Sequence, residues 1–278
     1  MPYWRLSGFY FFYFATLGVL VPYWGLYLKS VGSSAQDIGS LIALLMLTRI
    51  VAPLVWGWIA DHRTRRMSVV RAASFFTAVA FIGVFFGTQF WWLALVMLTF
   101  SFFWHASLPL VEVSTMNHLG AQPGAYGRVR LWGSIGFIIS VAALGALIDR
   151  HGPWWVLPGL LLLMTGIWLY SLLLPESEFK AHVAHPQPFL KTIMRPEVFA
   201  FLLACFLMQV SHGPYYTFYS IYLEAHGYSK SVIGLLWAFA VVCEIGVFLL
   251  MQRLLLRVAL RPVLLASFLL AAARWLLI

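Results

Sequence analysis

Apolar residues run along this chain in long, nearly uninterrupted blocks, longer than the strands or core helices of a soluble domain require. A hydrocarbon layer about 30 Å thick needs roughly 20 apolar residues per helix. On that measure the pattern predicts spans at 7–28, 38–60, 68–88, 91–117, 129–149, 153–174, 198–223 and 231–252, with a ninth starting near Pro262 and still apolar at Ile278. The loops between blocks are short, except at 175–196. There Glu176, Glu178, Lys180 and a Pro186-Gln-Pro188 element predict a cytoplasmic linker. The first block is long, rich in Phe and Tyr, and has no small-residue cleavage site, so it reads as an uncleaved span rather than a signal peptide. The expected fold class is an all-α polytopic membrane protein.

Composition agrees. Hydrophobic residues make up 62% of the chain and charged residues 10%, against roughly 45–50% and about 25% in soluble domains. A soluble enzyme, a secreted disulfide scaffold and a disordered tail are excluded. The net charge of +9 would point to nucleic acid if the basic residues formed a patch. Instead they sort by loop. With the N-terminus in the cytoplasm, 13 of the 18 Lys and Arg lie at that side, only Lys29, Arg150 and Lys230 fall in loops on the far side, and Arg49 and Arg274 lie deep within spans. That asymmetry is the positive-inside signature. It predicts a multi-pass protein of the bacterial cytoplasmic (inner) membrane, with lipid as its surroundings and no nucleic-acid partner. Cys205 and Cys243 lie in apolar runs and read as inert buried thiols. No His/Cys/Asp spacing predicts a metal, and no cofactor is expected. Trp91, Trp92, Trp154 and Trp155 fall at span ends, as in an interfacial belt. His105 and His118 read as helix-packing residues.

An internal repeat organises the spans. Residues 27–50 align with 222–245 at a constant offset, with nine of 24 positions identical, including Gly32/Gly227 and Gly39/Gly234. Both copies have the same orientation and six spans separate their starts, which makes the repeat parallel. The major facilitator fold is built from two six-span halves related by an axis along the membrane normal. The predicted domains are a six-helix bundle at 1–174, the linker at 175–196, and part of a second bundle at 197–278. Two copies of the repeat need about 390 residues against the 278 here. About three spans of the second bundle are therefore expected to be lacking, and a fragment and a truncated gene product both remain open.

Charge inside the bilayer costs at least about 2.5–3.5 kcal/mol per residue and marks function. Arg49, Glu112, Glu244 and Arg274 lie within spans, and Arg130 sits at the start of span 5. Pairing of these groups within a central cavity is expected. Arg49 and Glu244 occupy equivalent repeat positions with opposite sign. Tyr215, Tyr216 and Tyr219 follow His212-Gly213-Pro214, which predicts a helix break whose Tyr rings could face an aryl group. Between spans 2 and 3, Gly57-x-x-x-Asp61 is followed by Arg63, Arg65 and Arg66. Asp61 can pair with a neighbouring arginine, and Gly57 permits close helix approach.

This loop resembles the signature of the major facilitator superfamily, which implies a conformational latch formed by Gly57, Asp61, Arg65 and Arg66. Val111-Glu112 and Gly127-Arg128-x-Arg130-x-Trp132-Gly133-x-x-Gly136-Phe137 resemble segments of lactose permease and the oligosaccharide–proton symporters. The likeness is closer to the 3-phenylpropionic acid transporter group, through Pro22-Tyr-Trp24, Tyr27-Leu-Lys29, Gly227-Tyr-Ser229 and Arg274-Trp275, and it covers essentially the whole chain. The resemblance implies substrate contacts at Glu112 and Arg130 and a role in substrate affinity for Glu244; Arg49, Phe137, Tyr215 and Tyr219 are further candidate substrate-binding residues. It implies proton coupling through Glu244 and Arg274, whose partners belong to a tenth span.

The expected function is proton-coupled uptake of a small organic solute by a monomeric secondary transporter. An aromatic carboxylate such as 3-phenylpropionate is the leading substrate, and a sugar or nucleoside the alternative. A non-transporting remnant is a third reading. A membrane enzyme would need a nucleophile with its base. Ser134 is the one glycine-flanked candidate, and no histidine is arranged with it.

Overall fold

The computed structural model describes residues 2–63, 65–119, 123–176 and 193–277. Among them nine helices are long and apolar enough to cross a membrane. They are α1 (Tyr3–Ser30), α2 (Ala35–Asp61), α3 (Arg66–Phe81), α4 (Phe90–Leu119), α5 (Pro123–His151), α6 (Val156–Leu173), α7 (Pro196–Ala225), α8 (Lys230–Leu255) and α9 (Leu260–Leu277). All-helical structure follows from the solvent, because lipid cannot satisfy backbone groups and each span must bond its own. Pro186, Pro188, Glu178, Lys180 and Lys191 of the expected linker lie outside the described residues.

Two expectations need correction, and one span differs in detail. The break at His212-Gly213-Pro214 does not occur, and α7 runs continuously through Pro214. Proline deletes one N–H donor, and a span of this length tolerates the single lost bond. The third span ends its α-helical part at Phe81 and finishes in a 3₁₀ segment, Ile82–Phe86. Cys205 and Cys243 are free but exposed rather than buried, because no described neighbour covers their helix faces.

The residues cluster into two compact units: Met1–Ala181 with Tyr216–Ala238, and His182–Tyr215 with Phe239–Ile278. The tip of the α7–α8 hairpin therefore belongs with the first six helices. In that unit α1 is the hub, packed against α5 and α6, while α3 contacts α4 and α6, and α2 contacts α4. Of the most apolar stretch of α1, 72% is buried, against 28% for α2.

The hub forms because α1 offers large rings to small residues. Phe9, Tyr10, Tyr13, Trp24 and Tyr27 are buried. Gly136 of α5 lies directly against the backbone carbonyl of Phe11, with no room for a Cβ. Close approach at small residues is how helices associate where lipid removes the hydrophobic drive. Hydroxyls add to it: Ser140 donates to the Ala15 carbonyl at 2.9 Å, and Thr48 donates to Ser101 at 2.8 Å. In the second unit α9 has no buried residue among those described.

Candidate substrate-binding site

Three helices of the first unit bring polar groups together. From α1 come Tyr10, Tyr13 and Phe14, from α4 His105, Glu112 and Thr115, and from α5 Tyr126 and Arg130. Helical spacing explains each set. Glu112 and Thr115 are three residues apart, and Tyr126 and Arg130 four, so each pair shares a face. The Tyr10 hydroxyl donates to Thr115 Oγ1 at 3.4 Å. Tyr126 lies close to Glu112, Arg130 and Tyr10. Glu112 and Arg130 both act electrostatically on Tyr10 and Tyr126, which places the two charges around one tyrosine pair.

The expected direct pairing of these charges is not found. Among the described residues the ion pairs are Lys29–Glu224, Lys230–Glu224 and Arg66–Asp61. Arg130 instead lies over the Phe14 ring, 3.6 Å from its centroid. A guanidinium stacked on an aromatic face keeps its N–H edge free for a planar anion. The stacking of Arg130 on Phe14 accounts for its distance from Glu112.

Arg49 of α2 is exposed, and it lies within electrostatic range of Tyr13 and His105. Tyr13 also senses Glu112, so Arg49 borders the same cluster. His105 is buried, and its Nε2 lies 3.3 Å from the Leu45 carbonyl. It packs, as expected, but it packs beside Arg49. Phe137 is half-buried on α5, two helical turns beyond Arg130 on the same face.

The other sequence candidates divide between the units. Tyr219 is in the first unit, edge-on to Trp237 at 5.9 Å, and Tyr216 stacks on the same indole at 6.1 Å. Tyr215, Glu244 and Arg274 fall in the second unit. There the Arg274 guanidinium is 4.8 Å from the ring centroids of both Tyr215 and Trp275. Its Nε and Nη2 are buried without a hydrogen-bond partner among the described residues. Glu244 is exposed on α8.

At the α2–α3 loop, Arg66 Nη2 donates to Asp61 Oδ1. Arg65 stands at the entry to α3, and its carbonyl accepts from the Ser68 hydroxyl. Gly57 meets open space, so the close helix approach expected there is absent. Sequence reasoning missed Glu176, whose Oε2 accepts from the Met67 N–H at 3.1 Å and caps the start of α3. It also missed Tyr10, Phe14, Thr115 and Tyr126. The available signal was their three- and four-residue spacing from each other or from a charged residue.

Comparison with known proteins identifies the family. The chain is 29% identical over 276 residues to the probable 3-phenylpropionic acid transporter of Escherichia coli (strain K12), covering 98% of this chain and 72% of that protein. It is 28% identical over 275 residues to the maltose permease of Geobacillus stearothermophilus, covering 96% and 68%. Among solved structures the nucleoside transporter NupG superposes with a TM-score of 0.72 at 18% identity, covering 92% of this chain and 68% of that one. The chain thus spans about 70% of the length of these relatives. With the MFS_1 like family pattern matching residues 3–278, the chain belongs to that family of membrane transporters.

Proposed function

We propose that this chain carries out proton-coupled uptake of a small aromatic carboxylate, of which 3-phenylpropionate is the representative. One observation carries the reading. Two guanidinium groups, Arg49 and Arg130, border a cluster that holds a single carboxylate, Glu112, and four aromatic rings. The local charge is net positive at membrane depth, which favours an anion, and the rings favour an aryl body. Arg130, turned onto Phe14 rather than onto Glu112, takes the substrate carboxylate through its free N–H edge. Phe137 and Tyr219 contribute ring faces.

Coupling in the first unit runs through the two charges of the cluster: Arg130 moves between Glu112 and the substrate carboxylate, which links binding of the solute to the charge balance of the site. Glu244 and Arg274 complete the coupling in the second unit, where Arg274 has donors unmatched among the described residues. Asp61 and Arg66, with Arg65 and Gly57, act as a cytoplasmic latch during alternating access. The protein works as a monomer in a bacterial inner membrane, with its N-terminus in the cytoplasm. The name of the Escherichia coli relative supports the substrate assignment.

A sugar or nucleoside is favoured by a different feature, the hydroxyls of Tyr10, Thr115 and Tyr126 near Glu112, which suit a polyol. Uptake of labelled 3-phenylpropionate into vesicles with an imposed proton gradient decides between them. Gradient-dependent uptake unaffected by excess maltose or nucleoside supports the carboxylate. Accumulation of saccharide or nucleoside with no uptake of phenylpropionate overturns it.

A further inference from the structure

Along α2 the residues Ile38, Leu41, Leu45, Thr48 and Ala52 are buried. They recur every three or four positions and so form one helix face. α2 packs chiefly against α4. Arg49 follows Thr48 and is exposed beside that face. Its placement depends on how firmly this single turn of α2 is held.

Two polar contacts from α4 reach the turn. Ser101 and His105 are four residues apart and share a face. Ser101 donates its only proton to the Met97 carbonyl at 2.6 Å, so it accepts from Thr48 Oγ1 at 2.8 Å. Thr48 Oγ1 also lies 2.8 Å from the Leu45 carbonyl, but its one proton is already committed to Ser101. Two donors then remain for Leu45. One is the backbone N–H of Arg49, the helical partner four residues on. The other is buried His105, whose Nε2 lies 3.3 Å away and carries a proton there, because a carbonyl only accepts. The histidine bond therefore ends on the oxygen that closes the helical turn of Arg49.

The preceding residue of α4 grips a different helix. Trp104 is buried and stacks on Tyr13 of α1, with ring centroids 5.1 Å apart and planes 24° from parallel. Successive residues on a helix point about 100° apart, so Trp104 meets α1 while His105 meets α2. Their own rings are 5.0 Å apart. Arg49 lies within electrostatic range of both Tyr13 and His105. The Trp104–His105 pair thus sets where α2 stands relative to the aromatic face of α1.

We propose that His105 is a positioning residue for the anion site: its bond to the Leu45 carbonyl holds the turn of α2 that presents Arg49 beside Tyr13. Arg49 then adds its charge to that of Arg130, and together they outweigh Glu112. The proposal deepens the carboxylate reading above and rests on it for the substrate. Histidine suits the task because an apolar ring body packs between helices while one N–H reaches the backbone.

The test is a mutant cycle on the full chain in proteoliposomes, read as KM and maximal rate of 3-phenylpropionate uptake. His105→Phe keeps a ring and removes the donor; it should raise KM about fivefold with little change in maximal rate. His105→Gln keeps an N–H and should bring KM back to within about twofold. Added to Arg49→Gln, His105→Phe should raise KM no further, because the group it positions is gone. Ser101→Ala loosens the same helix pair without touching the Leu45 carbonyl; it should lower the thermal midpoint in detergent and leave KM alone. A second readout needs no transport. Phenylglyoxal modification of Arg49, followed by peptide mass spectrometry with Arg150 as reference, should quicken about threefold in His105→Phe and not in His105→Gln. If His105→Phe does not fold, the smaller His105→Leu takes its place in both measurements. A further KM rise on Arg49→Gln, an equal rise with Ser101→Ala, no rescue by His105→Gln, or unchanged modification of Arg49 each overturns the positioning role. If the unsubstituted protein moves saccharide or nucleoside and no phenylpropionate, the carboxylate reading fails, and the modification rates still judge His105.

Discussion

Arg130 shows how much a single contact decides. Its guanidinium has two competing partners, the carboxylate of Glu112 and the face of Phe14, and it lies over the ring. It makes no ion pair with Glu112 among the described residues. Glu112→Gln and Arg130→Ala are each expected to abolish uptake while membrane insertion, read by expression and detergent monodispersity, is unchanged. Tyr126→Phe removes only the hydroxyl and should cost about 1 kcal/mol, or roughly fivefold in uptake. Wild-type uptake by both charge variants would remove them from the site. Of this cluster, Glu112, Arg130 and Arg49 were legible in the sequence because charge in an apolar run is conspicuous. Tyr10, Phe14, Thr115 and Tyr126 were not, because tyrosine, phenylalanine and threonine are ordinary constituents of a span.

The helices themselves follow from the length of the apolar blocks, and every block became a helix. Local chemistry was less reliable within them. Pro214 reads as a break, yet α7 continues, because the helix can lose one bond and keep the rest. Gly57 reads as a contact point and is open, whereas Gly136 carries the tight contact, against the Phe11 carbonyl. The obstacle there is backbone and cannot rotate away. Gly136→Val should therefore separate α5 from α1 at a cost of about 1–3 kcal/mol, seen as a lower thermal midpoint in detergent. A midpoint equal to that of the unsubstituted protein would show that the two helices can part there freely.

At the scale of the molecule, the division at Tyr216 and Ala238 is the least expected feature. The sequence divides at the linker, yet the hairpin tip at 216–238 clusters with the first six helices. The Lys29–Glu224 pair and the hydrogen bonds from the Lys230 and Ser231 N–H groups to Asp149 account for that assignment. Orientation belongs to this scale too, since it depends on the sum of loop charges. A cysteine introduced at Gly32 should react with an impermeant maleimide added to intact cells, and one at His62 should not. The reverse pattern would invert the topology.

What the sequence determined by itself is whatever lipid enforces one span at a time: the number of helices among the described residues, their approximate positions, and the repeat that relates two of them. Each depends on hydropathy along the chain, and a helix in lipid bonds its own backbone wherever its neighbours lie. What only the tertiary structure decided is which faces meet. An apolar helix in an apolar solvent carries no amphipathic stripe to announce its inner side. The meeting of Arg130 with Phe14, and of Asp149 with the start of α8, is settled by small-residue packing and hydrogen-bond geometry between helices remote in sequence.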